Sequence, residues 1–401
     1  VKDLRGNWLK DQYQWSFTAG PADITSPAVT QTIPASGDEK VSILSKFHVF
    51  FSEDIDENTL NDTNIILYNN TAGTGVPIMI FPRPHNDCVT FVPNNLINNN
   101  SYTVTIGTGV RDLAGNGLSS PYTWSFTVAG TGVDSDPVFS GRFNDQKGIR
   151  WSDGTSRVEL HLEAGDDHTD PLTVTATTAY KNWTLNKTQR ESEYKYKSKS
   201  NEGLSSGSHT VTFSVKDGAS PQNTVTFQRD IFIFDSNPTL SFPSNGATDV
   251  STTPTFQWSY NGTLRPVIYI IVVLDGPDPE AARMIWQGRM VDSGPAIYSI
   301  SVPSDKALAP NTTYYWGVGA QNYDETGETI SEIWSFTTGG TPPPLPSFSW
   351  AIVRSEDRPN GMQWSLGAKV VGPSPADIRE LKVTGPGGFQ YIFTEDDILQ
   401  S

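Results

Sequence analysis

Aspartate side chains dominate the residues whose types and spacing suggest chemistry. The segment EAGDDHTDP places Asp166, Asp167 and Asp170 in one short loop. Calcium binds through six to eight hard oxygen ligands that converge from such a loop. The spacing matches neither the EF-hand loop nor the calcium-binding nonapeptide repeat. We therefore interpret the segment as a solvated acidic loop, and a calcium site at these three residues is the alternative.

Two further segments carry carboxylates in polar surroundings. SEDIDENTLND holds Glu53, Asp54, Asp56 and Glu57, and we interpret it as a solvated loop. In VRDLAGN, Asp112 is expected to form an Asx-turn with the backbone two residues on, and Gly115 to take a positive φ. A cation site that uses Asp112 is the alternative.

The residues of hydrolytic and zinc chemistry are scattered. The five histidines occur in unrelated contexts, and no GxSxG, HExxH or CxxC motif is present. HNDC offers one histidine and one cysteine, fewer than the four ligands of a structural zinc. Cys88, the single cysteine, is expected to be a small buried hydrophobic residue. The sequence thus predicts a chain without catalytic residues and without a cofactor, calcium excepted.

Aromatic and basic residues alternate in SEYKYKSKS, where Tyr194 and Tyr196 flank Lys195 and precede Lys197. Lysines on an edge strand prevent edge-to-edge association, and an edge strand is our interpretation of this segment. The alternative is a ligand surface for an acidic polysaccharide. Trp8 is a second candidate contact, because an exposed indole can stack on a sugar or on a neighbouring domain.

Composition limits the partners and the fold. The 401 residues carry a formal net charge of −16, which argues against nucleic acid and anionic membranes as partners. No run of eighteen apolar residues occurs, so no segment is expected to insert into a membrane. Aromatics make up 11% of the chain, with 34 glycines and 28 prolines. This mixture favours short strands joined by many turns.

Internal repeats divide the chain. VKDLRGNWLKDQYQWSFT (1–18) aligns without a gap with VRDLAGNGLSSPYTWSFT (110–127), and a third WSFT ending occurs at 334–337. TIPASGDEKV resembles SFPSNGATDV, and NNNSYTVTI resembles APNTTYYWGV. A period near 100 residues with alternating apolar positions is typical of immunoglobulin-like sandwiches.

We predict an all-β chain of tandem immunoglobulin-like and fibronectin type III-like sandwiches in an extended array. Strands are expected near 28–33, 41–51, 64–68, 76–81, 88–92, 101–108 and 121–128. Short helices are predicted at 279–286 and 375–381. The predicted domains are a terminal hairpin of a preceding domain (1–20), three full domains (25–130, 133–236 and 237–340) and an incomplete further β domain (345–401).

The segment 25–130 resembles the bacterial Ig-like domain of surface-layer and secreted proteins. The resemblance is carried by FHVFFSEDIDENTL, NNNSYTVTI, VRDLAGNGL and YTWSFT, and it extends to the tail at 1–20. Residues 237–340, with the SFPSNGATDV opening and the PNTTYYW strand, resemble a fibronectin type III-like domain, and 133–236 is similar to immunoglobulin or cadherin domains in general terms. The resemblance implies a bacterial spacer or adhesive stalk at the cell surface or outside the cell. It carries no catalytic residues.

Three functions follow from this organisation. The first is a non-catalytic structural or adhesive region whose partners are neighbouring domains of a longer chain, polysaccharide or other surface proteins. The second is a set of accessory, carbohydrate-binding modules of a secreted enzyme whose catalytic domain lies elsewhere. The third is a subunit of a surface lattice or filament.

Overall fold

The computed structural model describes the chain except for residues 1–21, 82–86, 142, 144, 167–170, 191, 220–221, 295, 341–346, 359–360, 372–379, 385–389 and 395–401. The described residues confirm the all-β fold class: they form strands, with 3-10 helical turns only at Glu57–Thr59 and Ser304–Lys306. They fall into two units. Unit 1 comprises 1–148, 157–202 and 208–232, and unit 2 comprises 149–156, 203–207 and 233–401.

Unit 1 begins with a two-sheet sandwich, the first sandwich. One sheet has the strand order β1-β2-β6-β5 and the other β4-β3-β7-β8, with antiparallel neighbours throughout. Alternate residues of β7 are buried, as a strand with one face on a core requires. The strands are β1 (Val29–Ile33), β2 (Phe47–Phe51), β3 (Ile65–Asn69), β4 (Thr74–Val76), β5 (Ile78–Phe81), β6 (Cys88–Pro93), β7 (Ser101–Ile106) and β8 (Tyr122–Thr127).

The rest of unit 1, here called the second domain, is built from β9 and β11 to β16. β11 pairs with β9 and β14, and β12 pairs with β13 and β15, all antiparallel. β11 alternates buried and half-buried residues along its whole length. The strands from here to the end of unit 1 are β9 (Val138–Gly141), β10 (Lys147–Arg150), β11 (Ser156–Gly165), β12 (Thr173–Thr177), β13 (Asn182–Lys187), β14 (Glu193–Lys197), β15 (Gly207–Lys216) and β16 (Thr224–Ile233).

Unit 2 contains a sheet of order β17-β19-β22 and a second set in which β20 pairs with β21 and β23, and β23 with β24 and β25. Two hairpins follow, β26–β27 and β28–β29. The strands are β17 (Thr239–Phe242), β18 (Ala247–Val250), β19 (Thr255–Ser259), β20 (Ile268–Leu274), β21 (Met284–Val291), β22 (Tyr298–Ser301), β23 (Thr313–Gln321), β24 (Gly327–Ile330), β25 (Trp334–Thr338), β26 (Ser347–Arg358), β27 (Gly361–Val371), β28 (Glu380–Thr384) and β29 (Gln390–Thr394).

The repeated opening segments adopt equivalent backbone geometry in the two units. Gly37 has φ 84° and donates its N–H to the Ser125 carbonyl at 2.7 Å, and Gly246 has φ 76° and donates to the Ser335 carbonyl at 2.7 Å. Positive φ favours glycine because it has no Cβ. After each of these turns the chain runs parallel to the last strand, at the Val41–Val128 bridge and in the β18–β25 pair.

The segment before each WSFT ending also repeats in structure. The hydroxyl of Tyr102 accepts a hydrogen bond from the Ile97 N–H at 2.9 Å, and the hydroxyl of Tyr314 accepts one from the Ala309 N–H at 3.0 Å. A tyrosine that bonds the backbone a few residues upstream is the tyrosine corner of immunoglobulin-like sandwiches. The sequence repeat therefore encodes one structural device twice.

Three predictions about elements are wrong. Residues 41–51 do not form one strand, because Ser42 Oγ accepts the Leu44 N–H at 3.1 Å and closes a turn before β2. Residues 279–281 form a turn, 282 is a bend and Met284 begins β21, so no helix forms at 279–286. β14, interpreted as an edge strand, lies between β11 and β13 and pairs with both. Most of the helix predicted at 375–381 lies outside the described residues, but its last two residues begin β28.

Candidate functional site

The DLAGN segment forms a closed turn around the Asp112 carboxylate. Asp112 is 2% exposed. Its Oδ1 accepts the Asn116 N–H and its Oδ2 accepts the Asn116 side-chain amide, both at 2.8 Å. Gly115 has φ 94°, as predicted. Hydrogen bonds to the Asp112 carboxylate thus come from Asn116, four residues along the chain, and from the Ala114 backbone two residues on, as predicted. The turn fixes the chain before β8.

Three carboxylates meet beside this turn. Asp23, Glu53 and Asp112 each offer an oxygen within 4.8 Å of the others, and this is the one group of three potential metal ligands among the described residues. Sequence reasoning had named Glu53 and Asp112 separately, and had missed Asp23. Hard oxygen donors of this kind suit divalent cations such as calcium.

The pKa values of Glu53 and Asp112 shift in opposite directions. Burial raises the pKa of Glu53, and the charges of Asp112, Asp23 and Asp54 raise it further. Burial alone would also raise the pKa of Asp112, but the hydrogen bonds from Asn116 and the turn backbone hold it below its usual value. Asp112 therefore stays ionised, and both its oxygens already serve the turn.

The first prediction concerns this turn. We expect Asp112→Ala to lower the free energy of unfolding of unit 1 by about 1.5–3 kcal/mol, the usual worth of hydrogen bonds to a charged group. Because the pKa of Asp112 is lowered in the folded state, its contribution is present above pH 3.8 and is lost as the pH falls below that value. Urea unfolding at neutral pH measures the loss of stability.

The control for this prediction is Asp62→Ala, at an exposed acid of the same sandwich. An equal effect of the two substitutions would contradict the role of Asp112.

The predicted calcium loop is only partly described. Asp166 follows β11 directly, whereas Asp167 and Asp170 lie outside the described residues. Calcium binding at these residues stays a prediction.

Three of the alternating tyrosines and lysines of β14 are buried or have partners within the second domain. Tyr194 is 5% exposed and so offers little surface for a ligand. The Tyr196 hydroxyl donates to Glu202 at 2.7 Å, and Lys197 lies 2.8 Å from the Glu159 carboxylate. These contacts stabilise the second domain. Ligand contact by Lys195, Tyr196 and Lys197 stays a prediction, and Trp8 lies outside the described residues.

The residues weighed for catalysis and zinc are not brought together where they are described. His48 lies in β2, His161 in β11 and His209 in β15. His85 and His168 lie outside the described residues. Cys88 is fully buried, as predicted.

The outer face of the β1-β2-β6-β5 sheet, which sequence reasoning missed, is covered by the second domain. Every residue of β2 is buried. Phe47, Val49 and Phe51 belong to the core of the first sandwich. His48 and Phe50 alternate with them and therefore face outward, toward the second domain. The sequence signal was the run FHVFF, which is apolar on both faces, as strands buried on both faces are.

His48 joins the two parts of unit 1 by hydrogen bonds. Its ring is fully buried, with Nδ1 2.9 Å from the Thr90 hydroxyl and Nε2 3.1 Å from the Phe139 carbonyl oxygen. A carbonyl oxygen only accepts, so Nε2 carries a proton. Thr90 belongs to β6 and Phe139 to β9, so one imidazole links the first sandwich to the second domain.

Phe50 completes this contact by entering an aromatic cluster. Its ring centroid lies 5.6 Å from that of Phe143 and 6.1 Å from that of Phe227. Phe139 packs against Phe227 at 4.8 Å. All four rings are at most 3% exposed. We call His48 and these four phenylalanines the junction cluster.

Polar contacts surround the junction cluster. The guanidinium of Arg229 lies 5.6 Å from the Phe50 ring centroid and 2.7 Å from the Asp87 carboxylate. Further bonds run from Gln31 to the Thr226 carbonyl at 3.3 Å, from the Gln228 N–H to Gln31 at 3.0 Å, and from Lys40 to Asn223 at 2.7 Å. An apolar centre with a polar rim is the usual anatomy of a stable protein interface.

Comparison with known proteins identifies the first part of the chain. Residues 23–128 match the family model described as "Bacterial Ig-like domain". No curated protein sequence matches the chain. Among the described residues, no helix has the length and apolar character needed to cross a membrane.

Solved structures with similarity to the chain include parts of a bacterial S-layer protein and of chicken CNTN1. The N-terminal part of the bacterial S-layer protein SbsC is 18% identical over 51% of this chain and 44% of its own, with a TM-score of 0.24. Domains 1–6 of SbsC are 13% identical over 92% and 63%, with a TM-score of 0.23. Chicken CNTN1 FN1–FN3 domains are 14% identical over 76% and 99%, with a TM-score of 0.27. The chain thus spans less than two thirds of both SbsC structures.

The family match covers both sheets of the first sandwich, including the tyrosine corner and the DLAGN turn. Residues 23–128 of this chain are a bacterial Ig-like domain.

Proposed function

We propose that this chain is a non-catalytic structural region of a bacterial cell-surface or secreted protein, in which the first sandwich and the second domain act as one rigid spacer. The junction cluster carries this proposal. Domains within a chain move relative to each other by default unless their interface is large and hydrophobic. In unit 1 the contact between the two parts is made by buried aromatic rings and a buried histidine, whereas a flexible linker would leave this contact in solvent.

The energetics of the junction favour a fixed arrangement. Burying one phenylalanine side chain stabilises a protein by about 1.5–3 kcal/mol. Separating the two parts of unit 1 would expose Phe50 and the rings that cover it. It would also leave the Phe139 carbonyl without the His48 donor. Each loss opposes bending at the junction, which is the property that a spacer requires.

A double spin-label experiment tests rigidity. Thr74 in β4 and Asn186 in β13 are exposed and lie in the two parts of unit 1. We expect the intact chain carrying Thr74→Cys and Asn186→Cys labels to give one narrow distance distribution by pulsed electron paramagnetic resonance. Cys88 is buried and should remain unlabelled in the folded protein.

The matched variant adds Phe50→Ala to the labelled chain. Loss of this ring removes the first sandwich's phenylalanine from the junction cluster, so the distribution is expected to broaden. Phe81→Ala is the control, since Phe81 lies in the same sheet but is 44% exposed. A broad distribution in the unmodified sequence would refute the rigid spacer. Location is tested separately: antibodies against the chain should label intact, unpermeabilised cells of the source bacterium or its culture medium.

A further inference from the structure

An open groove lies on the surface of the second domain and includes Gln228, the residue after Phe227. Its cavity volume is about 500 Å³, within the ~300–1,000 Å³ range of ligand sites. The lining comes from the end of β12, the turn that follows it, β15 and β16. Hydroxyl and amide side chains dominate it, including Thr177, Ser208, Thr210, Thr212 and Gln228.

Tyr180 forms one wall of the groove and is 85% exposed, the highest value of any described aromatic residue. A fixed turn presents it. The Thr178 hydroxyl accepts the N–H of Tyr180 at 3.3 Å and that of Lys181 at 3.1 Å, and the Thr178 N–H donates to the Lys181 carbonyl at 2.8 Å. An aromatic ring held on an ordered turn can contact a ligand with little further loss of backbone entropy.

The polar lining is held in place as well. Gln228 donates from its side-chain amide to the Thr212 hydroxyl at 3.1 Å, and Gln31 holds the Gln228 backbone. Ser208 donates to Asp230 at 3.2 Å at the end of the groove. Each hydroxyl offers one donor and two acceptor positions, and one such bond leaves capacity for a ligand.

The charges around the groove favour an uncharged ligand. The lining contains no lysine, arginine, aspartate or glutamate, and its one imidazole is that of His209. The nearest cation by sequence, Lys181, lies 3.7 Å from the Glu202 carboxylate, and the nearest acid, Asp230, already accepts from Ser208. An anionic polymer would gain no ion pair here.

We propose that this groove binds a neutral saccharide, with the Tyr180 ring stacked on the apolar C–H face of one sugar and the hydroxyls and Gln228 bonded to its hydroxyl groups. A sugar has an apolar C–H face, which suits the exposed Tyr180 ring. It also carries many hydrogen-bond donors and acceptors, which suit the hydroxyl groups beside that ring. The proposal goes beyond the spacer role: no side chain of the groove belongs to the junction cluster, although Gln31 of the first sandwich holds the Gln228 backbone.

Saturation-transfer difference NMR on the full chain tests the site. The probes are maltose, cellobiose and N,N′-diacetylchitobiose at millimolar concentration, with a glucuronate-containing disaccharide as the acidic comparison. We expect transfer to the ring protons of at least one neutral probe. Tyr180→Ala should weaken that binding about tenfold, and Tyr180→Phe should retain it, since the stacking ring is kept. Gln228→Ala should weaken it to a smaller extent.

Tyr323→Ala is the matched control, because Tyr323 is 58% exposed and lies in unit 2. It should bind as the unmodified chain does. Tyr180 is so exposed that its replacement leaves the fold intact, which thermal melting verifies. No transfer to any neutral probe would overturn the proposal, as would transfer to the acidic disaccharide alone. Equal binding by the unmodified chain and Tyr180→Ala would show that the sugar binds elsewhere.

Discussion

Phe227→Ala is expected to lower the free energy of unfolding of unit 1 by about 3–5 kcal/mol, the usual cost of removing a fully buried aromatic ring. Phe227 is fully buried. Its ring centroid lies 4.8 Å from Phe213, 4.8 Å from Phe139, 5.0 Å from Phe143 and 6.1 Å from Phe50. The substitution therefore removes packing from the second domain and from the junction at once.

Hydrogen exchange measured by mass spectrometry separates these two effects. In the unmodified chain, peptides from β6 and β7 and peptides from β15 and β16 should open with the same free energy, because the junction cluster couples them. In Phe227→Ala, β15 and β16 should open first and at lower free energy, while the first sandwich keeps its own core.

The control again uses Phe81, whose ring is largely in solvent. Phe81→Ala is expected to change the free energy of unfolding by no more than about 0.5 kcal/mol. If Phe227→Ala cost less than about 1 kcal/mol, the junction cluster would be loosely packed, and the coupling between the two parts of unit 1 would need another explanation.

Strand positions in the first sandwich followed from local sequence because one face of each strand meets a core. The alternation of Tyr102, Val104 and Ile106 with threonines predicted β7 to within two residues. The prediction of β2 began too early, since it read the apolar residues 43 and 44 as strand. Those side chains are exposed at 43% and 59% on the turn that Ser42 closes. Local hydrophobicity does not distinguish an exposed turn from a strand.

Contacts made far along the chain could not be read in the same way. β14 carries lysines at alternate positions, which is typical of an edge strand, yet it pairs with both β11 and β13. Lys197 meets Glu159 of β11, and the Tyr196 hydroxyl donates to Glu202. The carboxylates of Asp23 and Asp112 are 89 positions apart in sequence and meet only after the sandwich closes. Such pairs depend on topology, and one sequence contains no signal for them.

The pH dependence of stability is expected to report a shared proton at the junction. Asp136 precedes β9, and its N–H donates to the Lys40 carbonyl at 2.8 Å. Its carboxyl group hydrogen-bonds that of Asp38 in the first sandwich. Burial, the Asp38 bond and charge, and a smaller contribution from Asp217 raise the pKa of Asp136 to about 8, against the opposing charge of Lys40. One proton is thus held between two carboxyl groups.

The sign of the effect follows from where the proton binds. Between pH 3.8, the unperturbed value, and about pH 8, the folded state keeps a proton that the unfolded state has released. Stability should therefore fall as the pH rises through this interval and level off above it. A shift of this size corresponds to an upper limit near 6 kcal/mol, and solvent screening at this half-exposed group reduces the expectation to about 1–3 kcal/mol.

Asp136→Asn separates this proton from other titrating groups. Asparagine keeps a hydrogen-bond donor toward Asp38 and carries no charge at any pH. We expect the variant to match the unmodified chain near pH 5 and to exceed its stability by about 1–3 kcal/mol near pH 9. Urea unfolding across this range gives the difference curve, and Asp62→Asn, at an exposed acid, should give a flat one. A flat curve for Asp136→Asn as well would place the proton elsewhere. A difference curve that rises with pH would mean that the Asp136 and Asp38 carboxylates lose their shared proton and repel each other at high pH. Both residues lie at the contact that His48 and Phe50 form between the two parts of unit 1. Alkaline conditions would therefore loosen the rigid spacer at this junction.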